Sequence, residues 1–132
     1  MWSRLDDALL DHRKVLHAAE LLGPNGRAIA IGLHAAALMY ANKHLTDGFV
    51  PLSAIQTWQL ANAVDSAAAM VRSALWTRAK RHGIEGYQVH DFGAYNHTAA
   101  DVLAYRDREA KRKRRARRSW KSAKAARKNG HG

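Results

Sequence analysis

The chain contains no cysteine. A disulfide framework, a thiolate zinc site and a cysteine nucleophile are excluded together. Long hydrophobic runs are also missing. The most apolar stretch, Ala28 to Ala41, is 14 residues long and holds Gly32 and His34. A membrane span needs roughly 20 apolar residues, so this segment reads as a buried helix, and no membrane partner is expected. Asp6 and Asp7 precede any apolar run, so the start does not read as a signal peptide. There is no HExxH, no P-loop and no dinucleotide glycine pattern. Ser53, Ser66 and Ser73 lack the context of a nucleophile elbow. What is present is 132 residues, 47% of them hydrophobic, enough for one domain with a true core.

The charge is unevenly placed. Residues 1–100 hold nine Lys and Arg against eight Asp and Glu, a net of +1. Residues 101–132 hold thirteen against three, a net of +10. The pattern predicts a nearly neutral body, residues 1–105, followed by a polycationic tail, residues 106–132. The block Lys111-Arg112-Lys113-Arg114-Arg115-Ala116-Arg117-Arg118 repels itself unless an anionic partner neutralises it, and nucleic acid is the usual one. The plainer reading is a solvated tail that only aids solubility. Membrane phosphate fits less well, because the tail offers only Trp120 as a bulky apolar anchor.

Hydrophobic spacing gives an order of elements. Trp2-Ser3-Arg4-Leu5 alternates as a short edge strand does. Asp11 is a candidate cap for a helix from His12, with Val15, Leu16, Ala19 and Leu22 as its buried stripe. Gly23-Pro24-Asn25-Gly26 breaks the chain. Asn25 then opens a helix to about Leu45 that is apolar on most faces and so belongs at the centre of the domain. Gly32, Ala35, Ala36 and Ala37 would let its neighbours approach closely. Thr46-Asp47-Gly48 reads as a turn and Phe49-Val50 as a short strand. Pro51 suits the first turn of a helix to about residue 62. Asp65 would cap a helix from Ser66 to about Leu75, with Ala67, Met70, Val71 and Ala74 facing inward. Leu75 to Arg78 and Tyr87 to Phe92 read as strands joined by a polar loop, Lys80 to Gly86. From Thr98, a capping-box position with Asp101, no Gly or Pro intervenes to Lys128, and Glu109 with Lys113 forms a favourable i,i+4 pair. The tail is therefore helix-capable, with order expected mainly once its charge is neutralised. The fold class is mainly α with a small β-hairpin (α+β). The element order is that of a winged helix-turn-helix with an extra N-terminal strand and helix and a basic C-terminal helical tail.

The segment Tyr40-Ala41-Asn42-Lys43-His44-Leu45-Thr46-Asp47-Gly48-Phe49-Val50-Pro51 resembles the hallmark of small winged-helix proteins encoded by actinobacterial phages, prophages and their hosts. Tyr87 to Phe92, followed by Tyr95-Asn96 and a charged helix, fits the same pattern, as do Trp2, Leu5, Asp6, His12, Lys14 and Val15. The resemblance covers roughly residues 2 to 110, weakly in the middle. It implies a DNA-binding protein, similar in some relatives to phage replication-initiation or replisome-organiser proteins. It also implies a bacterial cytoplasm, with the protein on the nucleoid. The chain departs from the pattern at Arg13, where proline is frequent, and in the long loop from Ala79 to Gly86.

Three groups are candidates for DNA contact. The wing offers Arg78, Lys80, Arg81 and His82, which can reach phosphates or the minor groove. The helix that would read bases offers only Arg72 and Ser73, with Gln56 and Gln59 before it. Base edges are read by Arg, Lys, Asn and Gln, so a helix opening Asp65-Ser66-Ala67-Ala68-Ala69 is a poor reader. The tail offers Lys111, Arg112, Lys113, Arg114, Arg115, Arg117, Arg118 and Lys121, which can neutralise phosphates without reading sequence. Trp120 can stack on an unpaired base; packing against the body or a partner is its plainer role. The expected function is non-enzymatic DNA binding, chiefly to duplex phosphates, in replication initiation or transcription control. No cofactor or metal is expected. His90-Asp91 resembles the pair of HD metal phosphohydrolases, but it lies in an alternating stretch that reads as a strand. The alternative is a protein-docking module for a helicase or polymerase, whose tail binds nucleic acid non-specifically. A replication-protein partner and a homodimer fit either reading.

Overall fold

The computed structural model describes residues 5, 7–60, 62–96 and 98–130. The protein is mainly helical with a small three-stranded antiparallel sheet. It forms two compact units, Met1–Ala99 and Ala100–Gly132. All but Leu5 of the strand expected at residues 2–5 falls outside the described residues, and Leu5 itself is in no regular element.

In the first unit a 3-10 turn, Leu9–Asp11, leads into helix α1, Arg13–Leu22. The cap is His12 rather than Asp11: its Nδ1 accepts the Lys14 N–H at 3.2 Å. Asp11 is spent closing the 3-10 turn. The buried face of α1 is Val15 and Ala18, both fully inaccessible, rather than the wider stripe expected. Gly23, at φ +76, ends α1 by donating to the Ala19 carbonyl.

Helix α2, Gly26–His44, follows at once. Asn25 does precede it, but in the left-handed region (φ 61) and with no side-chain capping bond. Ala30, Leu33, Ala37, Leu38 and Ala41 form its buried stripe, at the i, i+3, i+7 spacing of one helix face. Ala28 and Met39 are exposed, so α2 is central without being apolar all round. Close approach is set by Gly26, not Gly32. A Cβ on Gly26 would lie 2.1 Å from the Ala19 carbonyl oxygen of α1, whereas one on Gly32 would meet open space.

The turn at Thr46–Gly48 delivers strand β1, Phe49–Pro51, as expected. Thr46 Oγ1 donates to the Phe49 carbonyl at 2.6 Å. Helix α3 runs only over Leu52–Thr57. It ends early because Trp58 N–H turns back to the Ile55 carbonyl and Gln59 takes φ +52. Helix α4 is Ala63–Arg72, opened by Asn62 and not by Asp65, which sits in the first turn. Ser66, Ala67 and Met70 are buried on it. Its expected end moves back from Leu75 because Ala74 adopts φ +64.

Strands β2, Trp76–Arg81, and β3, Ile84–Val89, form a hairpin with β3 central: the order is β1-β3-β2. Trp76 pairs with Val89, Arg81 with Ile84, and Phe49 of β1 with Gln88. The expected seven-residue loop is a two-residue turn. His82 (φ 51) and Gly83 (φ 78) both take positive φ, which suits the twist of a two-residue hairpin. Gly86 admits β1: a Cβ there would stand 2.3 Å from the Val50 carbonyl oxygen. The second strand stops at Val89 instead of Phe92. His90 N–H still reaches the Leu75 carbonyl, but Asp91 turns left-handed (φ 53) and opens a short helix α5, Phe92–Tyr95. That geometry turns Phe92 into the core with Val50, Trp76 and Val89.

The second unit is a single helix, α6, Ala99–Gly130, counted from the last residue of the first unit. Its 32 residues span about 48 Å at 1.5 Å per residue. Glu109 does not pair with Lys113 as expected; Arg112 takes it at 3.0 Å, and Lys111 reaches Asp107 at 3.2 Å. No helix among the described residues is long and apolar enough to cross a membrane.

Candidate nucleic-acid interface

Strand alternation sorts the basic residues of the hairpin onto two faces. Trp76, Arg78 and Lys80 share one, and Thr77, Ala79 and Arg81 the other. Trp76 is buried in the core. Arg78 and Lys80 continue the same face toward the tip, where both are exposed. With Leu52, Glu85 and Tyr87 they line a groove of about 400 Å³. Glu85 stands directly opposite Lys80 in the ladder and partly offsets its charge. His82 lies exposed at the turn itself.

Arg81 has another task. Its Nη1 donates to the Thr46 carbonyl, its Nη2 donates to Gln88 Oε1 at 3.2 Å, and its guanidinium lies 5.0 Å from the Phe49 ring centroid. Gln88 Nε2 in turn donates to the Asp47 carbonyl at 2.8 Å. Arg81 thus ties the tip of β2 to the turn before β1. Its guanidinium stays exposed but is held in place by these contacts.

Helix α4 presents Val64, Asp65, Ala68 and Arg72 outward. Arg72 ends the helix, exposed. Gln56 is exposed on α3, while Gln59 lies beyond its end. Leu60 and Val64 are about two-fifths exposed, at 39% and 41%. The outward surface of this helix is therefore mixed: Val64 and Ala68 are apolar, Asp65 is an acid and Arg72 a base.

On α6 all of Lys111, Arg112, Lys113, Arg114, Arg115, Arg117, Arg118 and Lys121 are exposed. They are not equivalent. At 3.6 residues per turn, Arg106, Lys113, Arg117, Lys121, Lys124 and Lys128 fall within about 80° of arc. Ser119, Ala123 and Ala126 fall on the opposite side, but so do Arg108, Arg112 and Arg115, so positive charge runs all round the helix. Arg106, Lys124 and Lys128 belong to this basic stripe although they lie outside the dense block, and counting by the helical period is what finds them. Lys111 and Arg112 are partly occupied by Asp107 and Glu109. The Arg112 hydrogen bond, more than the nearby charges of Arg112 and Lys113, holds the Glu109 carboxyl below its usual range. The same bond raises Arg112.

A second concavity, of about 120 Å³, lies elsewhere on the body, among Leu9, His12, His34, Val89, His90 and Phe92. His34 accepts the Trp76 indole N–H on its Nδ1 at 3.3 Å. Burial, with the nearby charge of His12, lowers the His34 pKa to about 4. His90 pairs with Asp91 at 3.0 Å, on a turn rather than on the helix that an HD pair would need. No group of three or more His, Cys, Asp or Glu able to hold a metal comes together among the described residues.

No family model, no curated protein and no solved structure matches this chain.

Proposed function

We propose that the first unit is a winged helix-turn-helix and that the protein binds DNA without catalysing a reaction on it. The element order α2-β1-α3-α4-β2-β3, with β3 between β1 and β2, supports the winged-helix reading. The observation that carries the DNA reading is the concentration of thirteen Lys and Arg on α6, with a row of them along one face, in a chain whose other hundred residues are nearly neutral. Phosphates are the anions such a repeating row neutralises, and counterion release drives the association. Arg78 and Lys80 of the wing add contacts that orient the body on the duplex. Replication initiation or transcription control on the DNA of a phage, prophage or bacterial host, in the cytoplasm, is the setting this reading implies.

The test is duplex binding across a salt series with the full chain. If roughly six phosphates are engaged, the log–log slope approaches about −5. Replacing Lys113, Arg117, Lys121 and Lys124 by glutamine should flatten it by about 3 to 4 units. An R78Q/K80Q variant should shift affinity less and orientation more. Absence of duplex binding at low salt would overturn the proposal.

A second reading rests on α4. Its exposed Val64 and Ala68, with Leu60 in the segment before it, suit a protein partner better than base edges. In that reading the body docks a replication protein, and only α6 meets nucleic acid.

A further inference from the structure

We infer that Trp120 is a stacking platform for an unpaired base, so that α6 favours single-stranded over intact duplex DNA. The inference rests on the DNA reading above and deepens it. Trp120 is the most exposed large hydrophobic residue among those described, at 64%. Its indole offers a broad apolar face with a polar edge, the kind of surface on which a flat ring can stack. On a helix its neighbours are the residues three and four positions away: Ala116, Arg117, Ala123 and Lys124. The Lys124 ammonium lies 5.1 Å from the ring centroid, in a cation–π contact. Ala116 and Ala123 are too short to cover the rest of the ring. The indole therefore stands open beside the basic stripe, bordered by Arg117 and Lys124.

That is the combination single-strand sites use: cations that follow the backbone and an aromatic face between them. A base already unpaired presents its own face to the indole. A base within a duplex is stacked on both sides, and the step must be opened first. Phosphate contacts are available from either form. Stacking is available cheaply only from the single strand, so the preference comes from Trp120 and not from the charge.

The experiment compares wild type, W120F and W120A as full-length proteins. Anisotropy is read on labelled (dT)15 and on a 15-base-pair duplex at matched salt. Loss of one stacked base predicts a fall of about five- to hundredfold in (dT)15 affinity for W120A. Duplex affinity should stay within about twofold, and the salt slopes should not change, because no charge is altered. W120F should retain most of the single-strand affinity. Far-UV circular dichroism shows whether α6 persists, and alanine at an exposed helical site favours that outcome. If W120A binds (dT)15 as wild type does, or loses equally on both probes, the stacking role is wrong while the duplex reading stands. If wild type binds the duplex no better than an uncharged control yet binds (dT)15 through Trp120, the duplex reading falls and this one stands. If wild type binds neither, both fall.

Discussion

The His34–Trp76 contact makes the body sensitive to acid. Trp76 is 1% exposed, so its indole N–H must find an acceptor, and His34 Nδ1 supplies it. Only the neutral imidazole can accept. Protonation would set N–H against N–H beside a buried ring, and burial already opposes the charge, with His12 adding to it. The folded pKa is about 4 against 6.5 when unfolded. As pH falls below 6.5, the unfolded chain takes up the proton first. Stability therefore falls between pH 6.5 and 4 and is fully present above that window.

Each tenfold difference in proton affinity corresponds to about 1.4 kcal/mol, so the whole effect is roughly 3 kcal/mol, of which about 2 kcal/mol is gone by pH 5. His34 retains some solvent contact, so these figures are upper bounds. At roughly 4–8 °C per kcal/mol for a domain of this size, the midpoint should drop by about 10 °C between pH 7 and 5. His34→Asn keeps an amide oxygen near the position of Nδ1 and removes the titration. Lys14, His90 and Asp91 line the same cleft and are common to both proteins, so the difference between variant and wild type isolates His34. Thermal unfolding from pH 7.5 to 4.5 should show wild type falling more steeply than H34N. Parallel curves, or an NMR titration of His34 near 6.5, would refute the argument.

Three further outcomes follow from the packing. Gly26→Ala drives a Cβ into the Ala19 backbone and should cost about 2–3 kcal/mol in urea unfolding. Ala74→Gly relieves an alanine at φ +64 and should raise stability by about 0.5–1 kcal/mol, read from the same denaturation curves. Arg81→Met should lower stability by about 1–2 kcal/mol while leaving the salt slope of DNA binding unchanged, because its guanidinium is held by Thr46, Gln88 and Phe49.

The elements marked by strong turn residues were legible in the chain. Gly23-Pro24-Asn25-Gly26 and Thr46-Asp47-Gly48 bracket α2 within a residue of its observed ends. Boundaries set by unusual backbone were not. Gln59 and Ala74 at positive φ end α3 and α4, and neither residue type announces that conformation. Asn62 and Asp65 are both good N-cap types three residues apart, and composition gives no way to choose between them. At the candidate site, strand alternation puts Arg78 and Lys80 on the face of the buried Trp76, and their exposure comes instead from the hairpin running beyond the core toward its tip. The diversion of Arg81 was not legible, because its anchor Thr46 lies 35 residues away. His34 and Trp76 meet across 42 residues, a distance over which periodicity says nothing.

Helix α4 limits where sequence preference could arise. It buries Ala63, Ser66, Ala67, Ala69 and Met70 and turns Val64, Asp65, Ala68 and Arg72 outward. Asp65 lies in the first turn, the end that a reading helix points into the major groove. There its charge opposes phosphate, and a carboxylate can accept only from the exocyclic amino groups of cytosine and adenine. Arg72 stands at the far end of α4. One arginine there cannot supply the several base contacts over which a specific site spreads its discrimination. Selectivity, on the DNA reading, must then come from the wing or from the state of the DNA. Arg78, Lys80 and His82 can sense groove width, and Trp120 can sense whether a base is paired. Neither needs α4.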